Sequence, residues 1–166
     1  DAGPIEWTNV GMTAEAHAPA QLTLRNDEVL ISGCCDPDSL DGTSSSLELL
    51  SLESGWRLIA PSLNGYPYNG IQIPLDDGNV LLAGGGSGAV DLSPATSSNL
   101  VRVVDVVGEV VLRANMPNPR GGPSYVQTSS SEVLAVGGTT LSMGIRYPTD
   151  ALLYDAEADT WNSAGT

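Results

Sequence analysis

The chain has 166 residues, 41% of them hydrophobic, with 20 acidic residues against six arginines and no lysine, giving a net charge of −14. That is enough length to bury a sizeable core, while the charge repels phosphate backbones and anionic bilayers and so excludes nucleic acid and membrane surfaces as direct partners. No apolar run approaches the ~20 residues of a membrane-spanning helix, helical periodicity is nowhere sustained, and the 5% aromatic content, without Phe, makes the expected core aliphatic.

In chain order, the first strand signal is Ile5-Glu6-Trp7-Thr8-Asn9-Val10-Gly11, which stands alone. A polar turn follows, Arg25-Asn26-Asp27-Glu28, then the apolar run Val29-Leu30-Ile31-Ser32-Gly33-Cys34, a long polar stretch, a strand over 47–52 and a strand bearing Trp56. The next unit repeats this order. It reads Ile71-Gln72-Ile73-Pro74-Leu75, the turn Asp76-Asp77-Gly78-Asn79, the run Val80-Leu81-Leu82-Ala83-Gly84-Gly85, a strand over 100–107, and a last strand with Val111 in the Trp position. A third unit follows, with the turn Ser129-Ser130-Ser131-Glu132, the run Val133-Leu134-Ala135-Val136-Gly137-Gly138, a strand over 151–154 and a strand around Trp161.

The repeat has a period of about 50 residues: Trp7 and Trp56 stand one period apart, Trp56 and Trp161 two. Apolar runs on either side of a short polar turn predict hairpins, so each unit reads as four strands with one long loop after the second. The glycine pair is expected where neighbouring units crowd and a side chain would meet backbone. The Trp is expected to offer its apolar face to the next unit.

This pattern resembles the kelch repeat. The third unit carries most of the likeness, in Pro119-Arg120-Gly121-Gly122, the Gly137-Gly138 pair, Tyr154-Asp155 and Trp161. The second unit has Val104-Asp105 and Val111 at the last two places; the first has Cys34 for the second glycine and lacks the Tyr-Asp pair. The resemblance implies an all-β, kelch-type β-propeller with three four-stranded blades, over residues 14–61, 62–117 and 118–166. Residues 1–13 would be the outer strand of a preceding blade. Closed propellers have about four to eight blades, so three make an incomplete ring with two apolar blade faces open to water. The expected partners therefore include the remaining blades, from the parent chain, a second chain or copies of this one. The missing start Met favours a piece of a longer chain.

The loops after each second strand and the connections into each blade emerge on one face, and loops on a rigid scaffold are the usual seat of binding. Arg120, Arg146, Tyr147, Tyr66, Tyr68, Asn69 and His17 are the candidate ligand-binding residues there, since Tyr and Arg make good interface anchors. The resemblance implies partner binding on this face with a contribution from the Pro-Arg position, which Arg120 matches. Asp36, Asp38 and Asp41 cluster before Gly42 and form a weak calcium candidate, though no Glu closes the loop as in an EF-hand. Adjacent Cys34 and Cys35 read as small packed residues, as a vicinal disulfide or as a metal-binding pair, and leave the compartment open, with an extracellular setting weakly favoured by the absence of Lys.

Catalytic readings have less support. Galactose-oxidase-like propellers use two His beside two Tyr, whereas this chain has one His in all. A Ser-His-Asp site would need the same His17, and Gly84-Gly85-Gly86-Ser87-Gly88 leads to no predicted helix that could hold a phosphate. The expected function is a non-catalytic module, without cofactor, binding a protein or glycan through the long-loop face. The alternatives are a fragment of a secreted galactose-oxidase-like or carbohydrate-active enzyme with its catalytic residues elsewhere, or a structural self-assembling subunit.

Overall fold

The computed structural model describes residues 9–13, 20–33, 46–60, 70–87, 96–141 and 144–166, and every regular element within them is a β-strand. β1 (Ala20–Arg25), β2 (Glu28–Gly33), β3 (Leu47–Ser51) and β4 (Gly55–Ala60) form one antiparallel sheet in chain order. The second sheet contains β5 (Ile71–Pro74) and β6 (Val80–Ala83). A small hairpin follows, of β7 (Gly86–Ser87) and β8 (Thr96–Ser97), and then β9 (Val101–Val104) and β10 (Val110–Arg113) complete the sheet. The third has β11 (Ser124–Gln127) and β12 (Glu132–Val136), a second small hairpin of β13 (Thr140–Leu141) and β14 (Ile145–Arg146), then β15 (Ala151–Asp155) and β16 (Thr160–Gly165). The expected three four-stranded sheets are present and no closed ring forms among the described residues. The two small hairpins lie inside loops that the sequence marks only as polar and glycine-rich.

Turn chemistry sets the register. Arg25 pairs with Glu28 across a two-residue turn in which Asn26 and Asp27 both have positive φ, 42° and 64°. That geometry matches strand twist, and these two side chains tolerate it. The turns from third to fourth strand are also alike. Asp155 Oδ1 accepts from the amides of Glu157 and Ala158, and Asp105 Oδ1 from those of Val107 and Glu109. In the first blade, Ser51 Oγ takes the carboxylate's place toward Glu53 and Ser54. Ser51 thus stands in for the Asp of the missing Tyr-Asp pair at this turn.

The core lies between the sheets. Leu30, Leu47 and Leu49 of the first sheet pack on Val80, Leu82 and Val104 of the second. The opposite face of the second sheet, with Leu81, Ala83, Val101 and Val103, packs on Val133, Ala135, Leu152 and Tyr154 of the third. Covered on both sides, β6 is buried at all four positions, so it reads as a continuous apolar run instead of alternating. Each fully buried Leu or Val contributes about 2 kcal/mol.

Trp56 and Trp161 face the other way from the expectation. Trp161 Nε1 donates to the main-chain oxygen of Ala114 at 2.9 Å, and the ring packs on the core shared with the second blade. The indole thus seals against the preceding blade, where a free carbonyl awaits its N–H. Trp56 shares the direction but not the bond: a side-chain carbon on Gly11 would stand 3.5 Å from its Cδ1, while its buried Nε1 has no hydrogen-bond partner among the described residues. Gly11 follows Trp7 by the interval at which Asn115 follows Val111. The N-terminal strand expected around Trp7 falls mainly on residues 1–8, outside the described ones.

Candidate binding cleft on the loop face

The glycine pairs build this face. Gly84 and Gly85 take φ of +66° and +104°, and a side-chain carbon on Gly84 would lie 2.6 Å from the Arg120 carbonyl oxygen. No other residue fits both the conformation and the space. The Gly85 amide donates to that same oxygen at 2.7 Å, while the Arg120 amide donates to Ser98 at 2.9 Å. Gly121 and Thr139 exchange two main-chain bonds of 2.8 Å. Ser97 Oγ then links the two small hairpins, donating to Thr139 O and accepting from the Leu141 amide. The loops of the second and third blades are therefore one hydrogen-bonded platform.

Arg120 lies beneath the platform and is fully buried. Its Nη1 donates to the carbonyls of Gly137 and Asp150, at 3.0 and 3.1 Å, and its Nη2 to Asp150 Oδ2 at 2.6 Å. The sequence places this residue among the ligand-binding candidates; the structure gives its guanidinium to the fold. It fixes the segment that leads into β15 and holds one carboxylate oxygen of Asp150, a residue that stays partly exposed.

Above Arg120 lies an open cleft of about 500 Å³, between the β13–β14 hairpin and the segment 118–119. Arg146 and Tyr147 line it together with Asn118, Thr140, Pro148 and Asp150. Tyr147 is 72% exposed, and Arg146 is exposed with no ion-pair partner among the described residues. Thr140 Oγ1 donates to Pro119 O at 2.9 Å, which ties the two walls together. The cleft thus presents donors, a carboxylate and an aromatic ring on backbone fixed by main-chain bonds.

Of the seven candidate ligand residues, the structure brings Arg146 and Tyr147 together in the cleft and puts Arg120 under its floor. Tyr66, Tyr68, Asn69 and His17 lie outside the described residues, as do the Asp36, Asp38 and Asp41 calcium candidate and the Cys34-Cys35 pair. Sequence reasoning missed Asn118, Thr140 and Asp150. No local signal marks Asp150, which stands thirty residues from Arg120 in a chain with 20 acidic residues. Among the described residues no group of three His, Cys, Asp or Glu side chains could hold a metal ion.

No known family model matches the chain, and no curated protein matches it. Solved structures do. Superposition on YjhT gives a TM-score of 0.70 at 14% identity, over 95% of this chain and 54% of that one. A fungal alcohol oxidase of the AA5 family, described as catalytically diverse within that family and solved in complex with copper, gives 0.61 at 18% identity. That match covers 86% of this chain and 29% of the oxidase. The fold is propeller-like. The chain spans about half the length of the first of these structures and less than a third of the second.

Proposed function

We propose that the chain is a non-catalytic, kelch-type propeller module that binds a protein or glycan partner through the long-loop face. The observation that carries this reading is the Arg146–Tyr147 pair, exposed over a cleft whose walls are joined by main-chain and side-chain hydrogen bonds. Exposed Tyr and Arg on a rigid base lose little freedom on binding, the property that makes them anchors. The residue types at Arg120, Gly137-Gly138, Tyr154-Asp155 and Trp161 support the kelch assignment.

Further blades, from the parent chain, a second chain or copies of this one, are part of the reading. Val126 and Val136, 54% and 45% exposed, occupy on the third blade the places that Ile73 and Ala83 occupy on the second, where the third blade packs over them. The same face of another blade would be expected to cover them.

The test compares the chain with an Arg146→Ala/Tyr147→Ala variant on arrays of glycans and of extracellular protein domains. The reading expects one class of ligand to be retained by the parent chain and lost by the variant at unchanged thermal stability. Binding that survives both substitutions moves the site elsewhere.

A second reading takes the chain as part of a galactose-oxidase-like or carbohydrate-active enzyme, and the likeness to a copper-bound alcohol oxidase favours it. The described residues do not fit a copper site by themselves. Stoichiometric copper in the purified protein would establish this reading over the first.

A further inference from the structure

We propose that the cleft beside Tyr147 is a neutral-carbohydrate site, taking one pyranose ring against the tyrosine and its hydroxyls on Arg146, Asp150 and Asn118. This rests on the loop-face reading above and narrows it to one ligand class. Four observations carry it.

Arg146 only donates and the Asp150 carboxylate only accepts, yet both line the same cleft. A sugar hydroxyl does both, so adjacent hydroxyls satisfy the two together, whereas a purely anionic ligand only accepts and leaves the free oxygen of Asp150 without a donor. Asp150 is held in advance: Arg120, fully buried, takes its Oδ2 at 2.6 Å, and Oδ1 has no partner among the described residues. A carboxylate oriented before binding avoids the ordering cost of a free one.

Tyr147 supplies the third element. At 72% exposure it offers a ring face to the C–H bonds of a pyranose while its hydroxyl stays in water. The aliphatic part of the lining is Pro119 and Pro148, so the cleft has no deep apolar seat for the hydrophobic anchor of a peptide. Finally, the net charge of −14 opposes the approach of acidic ligands to any part of this surface.

The test is an array of neutral gluco-, galacto-, manno- and xylo-oligosaccharides beside the corresponding uronates and a random peptide set, followed by calorimetry on the best binder. The expected result is a neutral glycan whose affinity falls about tenfold in Tyr147→Ala and is restored in Tyr147→Trp. Raising salt from about 0.05 to about 0.5 M should change that affinity by less than about twofold, since no net charge is neutralised. Binding of uronates alone, or a steep salt dependence, overturns the neutral-sugar assignment while leaving the loop-face reading in place. A peptide held through Tyr147 and Arg146 does the same. Binding indifferent to both residues, or none in any class, overturns the assignment together with the reading it rests on.

Discussion

Ala114 is held at both of its main-chain atoms by the neighbouring blade: its oxygen accepts from Trp161 Nε1 and its amide donates to Asp159 Oδ1, each at 2.9 Å. The same Asp159 oxygen accepts from the Tyr154 hydroxyl at 2.8 Å, and the Tyr154 and Trp161 rings lie 4.9 Å apart. One short turn of the third blade thereby fixes the outer edge of the second.

Trp161→Phe keeps the ring contact and removes the N–H. It should cost about 1 kcal/mol in urea unfolding, while Trp161→Ala, losing the ring as well, should cost about 3 kcal/mol. A Trp161→Phe variant as stable as the parent would show that the bond to Ala114 carries no energy, and equal costs for the two variants would show that the ring contact carries none.

Tyr154 gives a pH dependence with a definite sign. Burial raises its phenol pKa above the ordinary 10.0, and the hydrogen bond to Asp159 raises it further. The folded state thus holds a proton that the unfolded chain releases first. The contribution is complete below about pH 10 and is lost as pH rises toward the folded value. Thermal melts should show stability falling above about pH 10, with a shallower fall in Tyr154→Phe, which also loses about 1 kcal/mol at neutral pH.

Arg120→Met removes the guanidinium and leaves Asp150 and two carbonyls without their donor. We expect a loss of about 3 kcal/mol, and a smaller one, about 1 kcal/mol, for Asp150→Asn, whose side chain reaches solvent. Hydrogen exchange should locate the Arg120→Met change at the amides of Gly85, Gly121 and Thr139.

Two glycines with positive φ separate conformation from crowding. A side-chain carbon at Gly55 would meet nothing within 4 Å, so Gly55→Ala should cost only the left-handed backbone, about 1 kcal/mol. Gly84→Ala adds a 2.6 Å approach to a carbonyl oxygen and should cost about 3 kcal/mol or more, visible as poor expression or an early melt.

The blades are legible in the sequence because period-two patterning and turn residues are local signals, as at β5, its turn and β6. The glycine pair is legible for a similar reason, since its positive φ at Gly84-Gly85 and Gly137-Gly138 is written in two adjacent residues, with crowding added at Gly84 and not at Gly137. The orientation of Trp161 is not, because a large apolar residue on an outer strand packs equally well on either neighbour, and the free carbonyl of Ala114 makes the choice. Arg120 misleads for a related cause. A basic residue in a Pro-Gly loop looks solvent-facing until Asp150, thirty residues later, is brought against its guanidinium. At the cleft, Arg146 and Tyr147 stand out by residue type alone, whereas Asn118 and Thr140 become partners only once two loops meet.

Among the described residues the hydrophobic core joins each sheet to its neighbours in chain order, so cooperativity along them is quasi-one-dimensional. The middle sheet, flanked on both sides, should then surrender its amide protons last, with fraying admitted from either end. Loss of a terminal wedge would leave its neighbour weakened without dissolving the far one.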